Sequence, residues 1–297
     1  KDSCPFFGLS EAVVGETTCD GKKKMFELIS GYKPLHVMDL PQMPDEPEAI
    51  ESWGAMISKF KQFLQDVSGH TATDEMIEAA IRDSNAKARH MNMIFDYLAL
   101  NPPVLGWEEL YDVLLLAQGA SGDDLAPLFD DIHIKLEERK RYGYICGAKD
   151  APRVMVTGCP LGGDAFKILR AIGDAKGVIV ALEACSFMKP YMFYIEEGTG
   201  DPIRAMASHY LKIPCACMTP NIHRLECIDA LIERFRPDVV VDVILQACHG
   251  YNIESFKVSE HINKKYHLPF LKIETDFSQG DAGQIRTRIE ALLEMCG

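Results

Sequence analysis

The period of apolar positions changes twice along the chain. Ala12–Glu16 (AVVGE) and Pro34–Leu40 (PLHVMDL) are short, nearly continuous apolar runs, the pattern of buried strands. Between them, Gly21–Ile29 places apolar residues at helical spacing. Strand, helix and strand in so short a span predict a parallel α/β unit. From 47 to 142 the spacing is helical almost throughout. Ile50–Val67, Thr73–Leu100, Trp107–Gln118 and Asp123–Tyr142 carry apolar residues at i, i+3 and i+4, and Asn101-Pro102-Pro103 stops the second of these helices. The alternation returns after Pro152. Arg153–Thr157, Val178–Leu182, Val239–Leu245 and Phe270–Glu274 predict buried parallel strands. Asp164–Ala175, Pro202–Lys212, Ile222–Phe235, Ile253–Tyr266 and Ala282–Met295 predict the helices between and after them.

The expected fold is α/β, with two Rossmann-like or flavodoxin-like parallel-sheet domains flanking a cleft and a helical insert. Residues 1–46 read as the C-terminal part of a first α/β domain, 47–150 as the helical segment and 151–297 as the second α/β domain. Two strands are few for a parallel sheet, so residues upstream of Lys1 are expected to complete the first domain.

Composition narrows the function. The formal net charge is −13, which argues against general binding to nucleic acid or anionic lipid. Lys22–Lys24 is a local basic run, and it reads as a solvated face or as a contact for a phosphate or an acidic partner. No apolar run approaches the ~18–20 residues of a membrane span, and the chain reads as cytoplasmic. Ten cysteines are many for a chain of this kind. Their spacing is not that of a small secreted disulfide scaffold or of a zinc site, which leaves metal binding, redox work or inert burial.

The positions of the cysteines favour metal. In a doubly wound sheet, ligands bind outside the carboxyl ends of the strands. Cys19, Cys159, Cys185 and Cys248 each follow a predicted strand within a few residues. Cys215 and Cys217 lie in a loop after a helix, and Cys4 precedes the first strand. Several thiolates in one cleft suit soft metals, above all iron–sulfur clusters. TGCPLGG (157–163) reads as a tight turn; it lacks the GK[ST] ending of a nucleotide-binding loop. His249, Glu274 and Asp276 follow strands of the second domain and are candidates for proton transfer near the cleft, or for supporting hydrogen bonds.

GETTCDGKKKMFEL, IPCACMTPN, LQACHGYNIES and IETDFSQGDAGQIRTRIEALLEM, in this order, together resemble the 2-hydroxyacyl-CoA dehydratase / benzoyl-CoA reductase family. The resemblance spans essentially the whole chain. It implies α/β domains around a cleft and, in CoA-dependent members, a 4Fe–4S cluster held by three cysteines. Two of those match Cys19 and Cys248, and the third belongs to a segment upstream of Lys1. KDSCPFF, TGCP, EAC and CAC resemble the homodimeric branch whose double-cubane cluster joins two four-iron cubanes. That likeness makes Cys4, Cys159, Cys185 and Cys217 the candidates for further ligands, with Cys215 in place of Cys217 as a variant.

It also implies a partner, an ATP-hydrolysing iron–sulfur reductase that supplies low-potential electrons. Beside the two surest ligands stand Glu16 and His249 as catalytic candidates, and Thr17 and Thr18 as cofactor-binding ones. The expected function is therefore reduction of a small molecule at a double-cubane cluster. The alternatives are a single-cubane subunit of a 2-hydroxyacyl-CoA dehydratase, for whose CoA phosphates Lys22–Lys24 is a local basic candidate, and a non-catalytic cluster carrier.

Overall fold

Apolar runs become strands and helically spaced segments become helices. A computed structural model of the chain describes residues 4–296. In chain order the elements are α1 (Pro5–Leu9), β1 (Val13–Glu16), α2 (Asp20–Ile29), β2 (Leu35–Met38), α3 (Ala49–Ser68), α4 (Asp74–Ala99), α5 (Trp107–Gly119), α6 (Gly122–Arg141), β3 (Arg153–Gly158), α7 (Lys167–Asp174), β4 (Val178–Glu183), α8 (Pro202–Tyr210), α9 (Ile222–Phe235), β5 (Val239–Leu245), α10 (His249–Tyr266), β6 (Phe270–Thr275) and α11 (Ala282–Glu294). No helix among the described residues is long and apolar enough to cross a membrane.

The chain divides into two compact units. The first runs up to Arg82 and takes back Ile195–Asn221; the second holds Asp83–Tyr194 and the chain from Ile222 on. The helical segment 47–150 is thus shared between them.

In the first unit β1 and β2 pair in parallel, Val13 opposite Leu35 and Glu16 opposite Met38. Gly15 is required by packing, because a Cβ there would lie 2.3 Å from the Phe26 ring of α2. Met38, Trp53, Ile57, Ala207 and Leu211 form the core, which joins β2, α3, α8 and the residue after α8.

In the second unit four parallel strands lie in the order β4-β3-β5-β6. Every residue of β3 and β4 is buried, which explains their unbroken apolar runs. The exception at the start of β3, Arg153, turns its guanidinium onto chain ends. It donates to the carbonyls of Leu100 (2.9 Å) after α4, and of Phe235 (2.7 Å) and Arg236 (3.1 Å) at the end of α9, where helix carbonyls lack partners. The order puts the first strand of the unit, β3, between the second and the third. The chain therefore reverses direction across the sheet between β3 and β5, and the carboxyl ends of those two strands form the topological switch point.

Three features depart from the sequence expectations. The helix expected from Asp164 opens as a 3-10 turn at Gly163–Phe166, with Gly163 at φ 52°. Helix α10 begins at His249, four residues before the expected Ile253, because burial of Tyr251 overrides the weak helix preference of His-Gly-Tyr-Asn. Helix α1 and a 3-10 turn at Lys189–Tyr191 were outside the sequence pattern.

Candidate metal centre

The switch point of the second unit carries two cysteines. Gly158 ends β3 with φ 114°, and a Cβ there would lie 2.1 Å from the Val243 carbonyl of β5. Only glycine lets the two strand ends approach this closely. The approach is then stitched twice: the Cys159 N–H donates to the Val243 carbonyl at 2.8 Å, and the Leu245 N–H donates to Cys159 Sγ at 3.3 Å. Ala247, a non-glycine residue at φ 65°, turns the chain out of β5 into Cys248, the residue that caps α10. That turn holds Cys248 within hydrogen-bonding reach of Cys159. The Cys248 sulfur and burial together push the Cys159 thiol well above its ordinary range. In the free protein it is therefore a proton-bearing thiol, and metal binding would displace that proton.

Cys185 follows β4 by two residues and is half-buried. Its neighbours in the chain, Glu183 and Lys189, form a buried ion pair at 2.5 Å. Burial alone would raise Glu183 and lower Lys189. For Glu183 the charges of Lys189 and Arg224 and the hydrogen bonds from Lys189 and Thr157 together outweigh burial, and for Lys189 the nearby Glu183 leads the groups that do so, so Glu183 stays below and Lys189 above its ordinary value. Asp242 in β5 differs: burial raises its carboxyl, and Arg224 at 4.0 Å offsets this only in part. This polar interior was invisible in the sequence, where Glu183 and Asp242 stand singly in apolar runs and Arg224 lies in a helical stretch of mixed polarity.

In the first unit Cys19 caps α2, and its exposed thiol accepts the Lys22 N–H at 3.4 Å. Glu16 pairs with Lys22. Thr17 donates to Asp39 at 2.8 Å and accepts the Leu40 N–H at 2.9 Å, which ties the loop after β1 to the end of β2. The Thr18 N–H donates to the Glu16 carbonyl at 2.9 Å. Gln42 completes the tie: its amide donates to the Thr17 carbonyl at 3.0 Å, while its own carbonyl accepts the Thr219 N–H at 2.7 Å. The loop with Cys215 and Cys217 is therefore fastened to the same carboxyl end as Cys19, and both thiols are half-buried. A groove of about 750 Å³ opens beside Thr17 and Gln42, lined also by Lys23, Asp39, Met43, Glu46 and Met56 among others.

Cys4 is exposed and caps α1. The chain after α1 meets Lys33 through the Ser10 carbonyl, so it reaches the sheet at the amino ends of β1 and β2, whereas Cys19 lies beyond the carboxyl end. The three lysines are all engaged: Lys22 with Glu16, Lys23 with Asp20 at 2.8 Å and Lys24 with Glu27 at 2.7 Å. His249 is exposed at the first turn of α10. Glu274 accepts from Asn252 at 3.3 Å, and Asp276 from the Ser278 N–H at 2.7 Å.

Among the described residues no three His, Cys, Asp or Glu side chains converge as a site for a single metal ion. In the second unit Cys159, Cys185 and Cys248 follow the carboxyl ends of the neighbouring strands β3, β4 and β5, and an iron–sulfur cluster is held by several cysteine thiolates. The donor set is soft sulfur, and backbone N–H groups already point at Cys19 and Cys159. Hydrogen bonds of that kind to cysteine sulfur tune cluster potential, so the residues present fit an iron–sulfur group.

The chain was compared with known proteins. Residues 1–296 match the family model described as 2-hydroxyglutaryl-CoA dehydratase, D-component. A relative in Escherichia coli (strain K12), named "Putative dehydratase subunit YjiM", is 37% identical over 298 aligned residues, which cover 99% of this chain and 76% of the relative.

Proposed function

The chain belongs to the 2-hydroxyglutaryl-CoA dehydratase D-component family, and from that premise we propose that it is the iron–sulfur subunit of a dehydratase acting on a 2-hydroxyacyl-CoA. The observation that carries this reading is the switch-point pair. Cys159 and Cys248 are held side by side at the carboxyl ends of β3 and β5 by an obligatory glycine, a left-handed alanine and two backbone hydrogen bonds. Such investment in the backbone is unneeded for two inert core thiols.

In this reading Cys19 and Cys248 are the first ligands, and Cys159 and Cys185 stand ready as others. Bound there, the cluster would supply one-electron chemistry and an iron open to a substrate oxygen. The protein's own part is to fix the sulfurs, to donate the Lys22 and Leu245 N–H groups to them, and to keep the Glu16–Lys22 pair beside Cys19. The groove beside Thr17 carries Asp39, Glu46 and Glu48 against the single cation Lys23. That excess of negative charge does not suit the phosphates of CoA. Electrons would come from a separate ATP-hydrolysing iron–sulfur activator, the partner that the family resemblance implies. His249 and Glu16 are the proton-handling candidates in the cytoplasmic, dimeric enzyme.

A second reading rests on Cys159 and Cys185. A single cubane with three cysteine ligands has no use for both, and a double-cubane cluster that reduces a small molecule would use them, with Cys217 or Cys215 and Cys4 as the remaining candidates.

The test is anaerobic turnover of 2-hydroxyglutaryl-CoA with an activator of this class, ATP and a low-potential reductant, followed by mass for loss of one water. Dehydration with about four iron per chain supports the first reading. About eight iron per chain, with reduction of a small molecule and no dehydration, supports the second. A fully loaded protein that turns over neither is a carrier.

A further inference from the structure

The interior of the second unit holds a cluster of charge that the stability of the fold does not require. Glu183, Arg224 and Asp242 are 0% exposed and Lys189 is 3% exposed. Arg224, on α9, is the hub. Its Nη1 lies 2.5 Å from Glu254 of α10. Its Nη2 lies 3.1 Å from Thr157 of β3, 3.4 Å from Glu183 of β4 and 4.0 Å from Asp242 of β5. The guanidinium face lies 4.6 Å from the centre of the Tyr251 ring of α10. Lys189 extends the cluster, 2.5 Å from Glu183 and 3.3 Å from the Tyr251 hydroxyl.

Stability does not account for this arrangement. Desolvating several charges costs as much as their attraction returns, and well-packed apolar residues of the same volume often serve a fold as well or better. The best-attested use of a buried ionic group is to specify one geometry. The geometry specified here is visible in the chain positions. Thr157 lies two residues before Cys159. Glu183 lies two before Cys185, and Lys189 four after it. Tyr251 lies three after Cys248, and Glu254 six after it. One guanidinium thus reaches, directly or through Glu183 and Tyr251, the three segments that carry the strand-end thiols Cys159, Cys185 and Cys248. A lysine in its place is a point charge and cannot span Glu254, Thr157 and Glu183 together.

We propose that Arg224 is the positioning residue of the thiol set: through Thr157, Glu183, Tyr251 and Glu254 it sets the places of Cys159, Cys185 and Cys248 relative to one another. The proposal concerns these thiols in the free protein, and its consequence for a cluster rests on the metal-centre reading above.

The control is the unit's other buried arginine, Arg153, which is 6% exposed and binds carbonyls at the amino end of β3. Arg224→Lys and Arg224→Gln are compared with Arg153→Lys and Arg153→Gln. Thermal midpoints are measured for each, so that pairs of equal stability loss can be matched. The first readout is the alkylation rate of each cysteine in reduced, metal-free protein, resolved by peptide mass. The second is the EPR signature and iron content after anaerobic loading with iron and sulfide.

Arg224 variants are expected to alkylate Cys159 and Cys185 at least tenfold faster than Arg153 variants of equal midpoint, and to load with an altered EPR signature. Should neither Arg224 variant fold, Glu254→Gln, at the edge of the cluster, is expected to change the same two readouts in the same direction by a smaller factor. Equal alkylation patterns in matched Arg224 and Arg153 variants, or a wild-type pattern in Glu254→Gln when that variant has to stand in, would overturn the proposal. If the wild-type protein loads no iron, the metal-centre reading fails, and the alkylation pattern still decides the role of Arg224.

Discussion

Gly158→Ala tests the switch point with the fewest side effects, because it adds one methyl group. The added Cβ would lie 2.1 Å from the Val243 carbonyl oxygen, 2.8 Å from the Val243 nitrogen and 2.9 Å from Asp242 Oδ1. Two of these are backbone atoms of a central strand and cannot swing aside. The φ of 114° adds its own penalty, about 1–3 kcal/mol for a side chain forced into that region. Relief requires β3 and β5 to part at their ends, which breaks the Cys159 N–H to Val243 bond of 2.8 Å. Leaving that buried pair unmade costs about 1–3 kcal/mol more. The sum is about 2–6 kcal/mol, which for a unit of this size lowers the midpoint by roughly 5–20 °C. Gly162, in the same loop, is the matched control. Its φ of −171° is ordinary extended backbone and its Cβ would meet nothing within 4 Å, so Gly162→Ala should stay within about 0.5 kcal/mol of wild type. The chain has two tryptophans, Trp53 in the core of the first unit and Trp107 in that of the second. A Trp53→Phe background therefore makes indole fluorescence report on the unit that holds Gly158. Equal midpoints for the two alanine variants would refute the close approach of β3 and β5 and the placement of Cys159 that depends on it.

Three further outcomes can be checked by unfolding. Tyr97→Phe removes a hydroxyl that donates to Glu137 at 2.9 Å and faces His133 Nδ1 at 2.8 Å; a loss of about 0.5–1.5 kcal/mol, that of an ordinary hydrogen bond because the carboxylate is exposed to solvent, is expected in urea titration, and no loss would contradict the bond. Thr17→Val keeps the shape but drops both the donation to Asp39 and the acceptance from Leu40, so the Trp53 signal should report about 1–2 kcal/mol less stability, whereas an unchanged midpoint would free this loop from β2. Asp229 is held below its ordinary value of 3.8, because Lys265, His261 and Tyr266 together outweigh its burial. Its contribution is fully present above that value and is lost as pH falls through the lower native one, so the stability gap between wild type and Asp229→Asn should narrow steadily from about pH 5 to pH 2; a gap that is constant over that range would count against the pairing.

How much of this was legible in the sequence differs element by element. Val239–Leu245 was read to the residue because a strand buried on both faces leaves an unbroken apolar run. The strand-end positions of Cys159 and Cys248 followed from the same runs. Their contact did not, since strand order is set by crossover connections that no local pattern encodes. The return of Ile195–Asn221 to the first unit was hidden for a similar reason: α8 shows an apolar face but not which core will take it. Arg224 was hidden most completely. In HRLECIDALIERF, where polar and apolar residues alternate at helical spacing, nothing marks the first arginine for burial, and only the opposing Glu183, Asp242 and Glu254, brought from three other elements, make it a buried one.

The central claim is that strand-end thiols of this chain hold an iron–sulfur cluster. Iron and acid-labile sulfide per chain, measured after anaerobic loading of wild type and Cys248→Ala side by side, test it most directly. The account predicts at least about four iron and as much sulfide per wild-type chain, with most of both lost in Cys248→Ala while its thermal midpoint in the metal-free state changes little. A variant that keeps the full wild-type complement, or a wild type that takes up none, would contradict it.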